Sequence, residues 1–203
     1  MIDLLEREFA RAIGSTKIPM VKSVIYKADF ALNDPVACRP TDCPTYFRTG
    51  CDCIVSKHAV RSHAVVVIDI EDFFKQFPTI PGRVCDRLLY DGDKLVLMDM
   101  TCSRPGFLEP SPTRKGKRAT AYEQIDATVT KLCKAPEIAK RINGFASRIG
   151  LLAIRKKTFA IEDKVNRAMD AFSQMRRMHK SISTPMNNGF VFQTMEYPNS
   201  FLW

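Results

Sequence analysis

Apolar residues recur at helical spacing from the start of the chain, at Ile2, Leu5, Phe9 and Ile13. The pattern predicts an amphipathic helix ending near Gly14, with Glu6 nearer its apolar face than Glu8. Met20 to Phe30 reads as a strand. Between Ala31 and Cys53, Pro35, Pro40, Pro44 and Gly50 break any period, which predicts an irregular loop. The β-branched run HAVVVIDI, from His63 to Ile70, reads as a buried strand or as the lead into a short helix around Phe73 and Phe74; strand propensity favours the former.

The segment from Ile80 to Arg104, IPGRVCDRLLYDGDKLVLMDMTCSR, holds two short apolar runs joined by a turn. Val84 to Tyr90 reads as one strand, Asp91-Gly92-Asp93 as a tight hairpin turn, and Leu95 to Thr101 as the antiparallel partner. Asp86 and Asp99 then fall on neighbouring strands in apolar surroundings, where a carboxylate is costly to bury without a cation or hydrogen bonds. Two carboxylates side by side are a usual way to hold Mg²⁺. The bland alternative has one aspartate capping the turn or pairing with Arg87 or Lys94, and the other facing solvent on an edge strand.

After Pro105 to Pro112 the helical period resumes with Tyr122, Ile125, Val129 and Leu132. Arg114, Lys115, Lys117 and Arg118 cluster at the start of this helix, where cations oppose the macrodipole, so helix stabilisation explains them poorly. Phe145 to Ile154 predicts another strand, and Ile161, Val165, Ala168, Phe172 and Met175 a helix that finishes in Arg176, Arg177, His179 and Lys180. Gly189 to Met195 predicts a short final strand. A chain of 203 residues suits a single domain, here with a loop insertion at about 31–58 and a basic helical extension from about 158.

The net charge of +9 is unevenly spread: residues 1–110 carry 14 Lys/Arg against 15 Asp/Glu, and residues 111–203 carry 17 against 7. The basic half is what a polyanion would meet, although a solvated helix face accounts for such charge equally well. No apolar run approaches the length of a membrane span, and the first residues include acids where a signal peptide needs bases. The expectation is a soluble, cytoplasmic protein with no membrane partner; oligomeric state leaves no signal.

Seven cysteines without a secretory signal read as reduced thiols. Cys38, Cys43, Cys51 and Cys53 could close a structural Zn²⁺ site, but their C-x4-C-x7-C-x-C spacing departs from paired knuckles, and buried thiols are the favoured alternative. Cys85, Cys102 and Cys133 read as core residues. Cys53 with His58 or His63 forms a conceivable nucleophilic pair without fixed geometry. Tyr197, Phe201 and Trp203 suit either base stacking or, more commonly for a terminal aromatic cluster, a lid over exposed core.

The order helix, strand, hairpin with two acids, helix, strand resembles the core of the PD-(D/E)xK nuclease superfamily. The layout extends over roughly Met1 to Lys157, and the specific part is Pro81 to Arg104 with the following helix. In the resemblance Asp86 matches the first acid, Asp99 the second, Glu6 (or less well Glu8) the acid of the opening helix, and Gln124 the glutamine after the triplet. The triplet's lysine is replaced by Thr101, which can hydrogen-bond but brings no positive charge; Lys117 or Lys115 would supply the cation, with Arg104 a weaker candidate. The resemblance implies an α/β fold, a mixed central sheet flanked by helices with a restriction-endonuclease-like core. It also implies Mg²⁺ or Mn²⁺ held by Asp86, Asp99 and Glu6. Asp86, Asp99, Thr101 and Lys117 would then form the catalytic set, and DNA or RNA would be held by Arg114, Lys115, Lys117, Arg118, Arg176 and Arg177. The alternative is a non-catalytic nucleic-acid-binding or protein-interaction module that keeps the nuclease fold.

Overall fold

In the computed structural model of the chain, the described residues are 1–27, 30–32, 54–57, 64–103, 107–156, 183–196 and 200–203. The opening helix, α1, runs through Ile2–Leu4, a π-helical stretch Leu5–Phe9 and Ala10–Ala12. Gly14 follows with φ +68°, a conformation that glycine adopts at little steric cost. Leu5 and Phe9 are fully buried, and the Phe9 ring meets Phe73, Phe74 and Phe77 edge-on, each at 5.3 Å. Both readings of the run around Val66 hold in part: β4, Val65–Asp69, passes directly into α2, Ile70–Lys75, where the Asp69 side chain accepts the Asp72 amide as an N-cap.

Among the described residues, seven strands form one mixed sheet. In order across it they are β1 (Ser23–Tyr26), β4, β5 (Arg87–Tyr90), β6 (Lys94–Ser103), β7 (Ser147–Lys156), β9 (Val191–Glu196) and β8 (Thr184–Pro185). β4, β5 and β6 run as an antiparallel meander, whereas β7 is parallel to β6 and β9 is parallel to β7. The hairpin turn is built by Asp91, whose carboxylate accepts the amides of Asp93 (2.8 Å) and Lys94 (2.7 Å). Between β6 and β7 lie α3, Lys117–Leu132, and α4, Pro136–Asn143, the latter opening on a proline suited to the first helical position.

Alternation along β6 sorts the core into two layers. Leu95 and Leu97 join α1 to α4 in one cluster, while Val96, Met98 and Met100 join the other, with Phe30, Leu32 and Phe201. Those last three belong to a small second sheet, β10-β3-β2, made of Ser200–Leu202, Ile54–Lys57 and Phe30–Leu32. The two ends of the expected loop insertion, residues 31–32 and Ile54–Lys57, therefore lie in paired strands, and Phe201 is buried in one cluster with Phe30 and Leu32. Trp203 meets Phe201 at 5.5 Å, and the Lys94 ammonium lies 5.5 Å from each ring. The fold is α/β, a mixed sheet with flanking helices. Among the described residues no helix is long and apolar enough to cross a membrane.

Candidate functional site

The strand expected from Val84 to Tyr90 starts three residues late, at Arg87. Arg87 is the register partner of Met98, yet the Asp86 amide also reaches the Met98 carbonyl (3.0 Å), so two residues of one strand oppose one of the other. This is a β-bulge, which ends the pairing and re-aims a side chain. Beyond it the Asp86 carboxylate takes over the acceptor role, receiving the Met100 amide at 2.6 Å. A charge-assisted bond of that length ties Asp86 to the strand that carries Asp99.

What holds the chain before the bulge is one face of α3. Gln124, Thr128 and Lys131 are spaced i, i+4 and i+7, so they line up along the helix. Gln124 Nε2 donates to the Val84 carbonyl (3.0 Å), Thr128 Oγ1 accepts the Cys85 amide (3.0 Å), and Lys131 Nζ donates to the Gly82 carbonyl (2.7 Å). Three polar side chains thus satisfy backbone groups that a longer strand would have paired within the sheet. Burial of Lys131 lowers its pKa, with Lys134 adding a smaller push in the same direction.

Asp99 continues the Leu95 and Leu97 row on the helix-covered face and is only 8% exposed; Thr101, next on that row, is 4% exposed. Their register partners on β7 are Leu152 and Ile154, both in the same apolar layer. The two carboxylates act on one common neighbour, the buried Cys85 thiol. Burial pushes that thiol far up, the Thr128 hydroxyl opposes the shift, and Asp99 and then Asp86 push it further. A thiol held so far from ionisation is a core group and not a nucleophile at neutral pH. Arg87 turns to the other side, where its Nη1 meets Asp69 Oδ1 at 3.0 Å and the Asp86 carbonyl at 3.0 Å.

Glu6 sits half-buried in the π-helical part of α1. Among the described residues no group of three or more His, Cys, Asp and Glu side chains is gathered as a metal site. Of the basic cluster, Lys117 is the first residue of α3 and is exposed, while the others have partners within the fold. Arg114 covers the Phe107 ring (4.0 Å), Lys115 pairs with Glu123 (2.7 Å), and Arg118 lies against Glu109 (2.8 Å), Glu196 (3.7 Å) and Thr194 Oγ1 (3.2 Å). Cys38, Cys43, Cys51, Cys53, His58, His63, Arg104, Arg176, Arg177, His179 and Tyr197 lie outside the described residues. Thr128, Lys131 and Arg87 have structural roles that the apolar pattern did not single out. For Thr128 and Lys131 the signal was a polar stripe, shared with Gln124, along an otherwise apolar-faced helix. Compared with known proteins, the chain matches no family model, no curated protein and no solved structure.

Proposed function

We propose that the chain is a divergent PD-(D/E)xK-type protein, a metal-dependent nuclease that hydrolyses phosphodiester bonds in DNA or RNA. The observation that carries the reading is the α3-held bulge that ties Asp86 to β6 beside the Asp99 row. The element order supports it as well: an opening helix, the antiparallel strands β1, β4, β5 and β6 of one sheet with α2 between β4 and β5, then α3 and α4, then β7 parallel to β6.

The donor set fits a hard cation. Asp86, Asp99 and the Thr101 hydroxyl offer oxygen only, and Mg²⁺ or Mn²⁺ needs one or two carboxylates when water and substrate phosphate complete its shell. When bound, such an ion polarises the phosphoryl group and lowers the pKa of water. The chain's own residues then have separable tasks. Asp86 is oriented by Met100, Asp99 brings a buried carboxyl group, and Thr101 supplies a hydroxyl. Lys117 stands in for the absent lysine as a cation facing phosphate.

The test has two readouts. Mn²⁺ titrated calorimetrically should bind the wild type and bind Asp99→Asn at least tenfold more weakly, and cleavage of plasmid, single-stranded DNA or structured RNA should need Mg²⁺ or Mn²⁺ and be lost in Asp99→Asn. Absence of both binding and cleavage would refute the nuclease reading. Thr101 at the triplet's lysine position favours a second reading, in which the fold serves as a non-catalytic nucleic-acid-binding or interaction module. Nucleic-acid binding without cleavage, unaltered by Asp99→Asn, would support that one.

A further inference from the structure

The described residues carry five large apolar side chains that are markedly exposed, and four of them, Ile18, Met20, Val24 and Ile25, fall within one short stretch at 54% to 81% exposure. That stretch leads into and forms β1, the outermost strand of the seven-stranded sheet. An exposed apolar edge of this kind is normally blunted by charge, proline or a covering element. Here both Val24 and Ile25 stand open although they point to opposite faces of the sheet, so a strand laid beside β1 would extend both core layers at once.

The backbone is equally prepared. The Asp69 amide bonds the Lys22 carbonyl (3.1 Å), and Val24 and Tyr26 are the next residues in the ladder to face β4. Met20 keeps the same phase without a strand partner, because the Gln76 side-chain amide mimics one: Oε1 accepts the Met20 N–H (2.9 Å) and Nε2 donates to its carbonyl (2.8 Å). Even-numbered residues from Met20 to Tyr26 are thereby tied inward. The N–H and C=O groups of Val21, Ser23 and Ile25 point outward, and no hydrogen-bond partner is found for them among the described residues.

We infer that the Met20–Tyr26 edge is a docking strand for an extended segment of a partner protein, apolar in its middle and acidic at both ends. The chemistry of the partner follows from the charges. Lys17 and Lys27, both exposed, bracket the apolar stretch, and Lys22 lies between them, 59% exposed and paired with Asp72. A second copy is the wrong occupant: residues 17–27 hold three lysines and no acid, so joining two such edges brings like charges together. Beside the edge a cavity of about 320 Å³, walled by Val24, Tyr26, Leu32 and Val67 and by the charged Lys22, Asp69 and Arg87, offers room for one partner side chain. Main-chain bonds with a single side-chain pocket are the usual means by which an added strand is recognised. So small an edge gives a transient contact, not an obligate one.

The probe is a synthetic peptide alternating valine and threonine between two glutamates at each end, with a lysine-ended version as its control. Hydrogen exchange on the whole protein should show the amides of Val21, Ser23 and Ile25 slowed by the glutamate-ended peptide, with Val24 unchanged. Ile25→Pro removes one outward donor and no bond to β4. It should weaken binding about tenfold or more, equivalent to roughly 1.4 kcal/mol, and Ile25→Lys, which keeps the backbone, should weaken it as well. Equal binding of both peptides, or no change in exchange at the three outward amides, would overturn the inference. Concentration-dependent dimerisation that protects those amides without peptide would overturn it in favour of a second copy.

Discussion

Replacing Thr128 by valine would remove one oxygen and leave the shape of the side chain nearly unchanged. That oxygen has two bonds. It accepts the Cys85 amide at 3.0 Å and donates to the Gln124 carbonyl one turn back at 2.7 Å. The second bond contributes little, because a hydroxyl bonded back to the i−4 carbonyl does not stabilise a helix. The first is different. Cys85 and Thr128 are both fully buried, so valine would leave the Cys85 N–H without an acceptor, at a cost of about 1–3 kcal/mol. For a chain of this size, about 2 kcal/mol lowers Tm by roughly 4–8 °C. Thr128→Ser is the control: it keeps the oxygen and loses a methyl worth about 0.8 kcal/mol plus a small cavity term. Urea denaturation should therefore rank wild type above serine and serine above valine, and only valine should speed exchange of the Cys85 amide. A valine variant as stable as the serine one, with that amide still protected, would refute the view that α3 holds the bulge through this hydroxyl.

Gly116, the N-cap of α3, has φ +81°, and a Cβ there would lie 2.5 Å from the Glu109 carbonyl carbon, so Gly116→Ala should cost about 2 kcal/mol or more in thermal unfolding. Gly14→Ala, at φ +68° in open space, should cost about 1 kcal/mol. Because the folded pKa of Lys131 is lowered below the usual lysine value, folding disfavours its protonated form, and that cost disappears as pH rises through the window just below 10.5. The stability of wild type relative to Lys131→Met should accordingly grow with pH there; a flat difference would contradict the burial argument. Neutralising Lys115 and Lys117 together should weaken nucleic-acid binding across sequences and lower the salt slope by about 0.7–0.9 for each phosphate that the pair neutralises, whereas unchanged affinity and slope would make the helix start a solvated face.

Elements defined by local pattern were legible in the sequence. Apolar spacing located α1 and α3, the β-branched run located β4, and the Asp91-Gly92-Asp93 turn located the hairpin, because each is decided by neighbours along the chain. The limits appear where partners come from afar. Val84 and Cys85 look like strand residues, yet they bond to Gln124 and Thr128 on a helix some forty positions away, and no local pattern reports that. The basic cluster is similar. Composition registers Lys115 and Arg118 as positive charge without showing that Glu123 and Glu109, a few turns along the chain, and Glu196, brought in by the sheet, pair with them. α4 went unread, although Pro136 and then Glu137 in its first turn are a start signal. The aspartate pair was conspicuous because carboxylates interrupt apolar runs; the bulge that orients one of them was not.

The change from antiparallel to parallel pairing at β6 also sets an order of events in time. β5 and β6 meet across a three-residue turn and β4 and β5 across a connection holding only the short α2, whereas β7 can join only after the chain has passed through α3 and α4, and β9 only after a further return. Closing those longer loops costs entropy before any parallel contact repays it. The meander is thus the natural nucleus, and the parallel half condenses on it late. Until α3 arrives, the segment before Asp86 has nothing to hold it, so the bulge that aims the Asp86 carboxylate at β6 takes shape only near the end of folding.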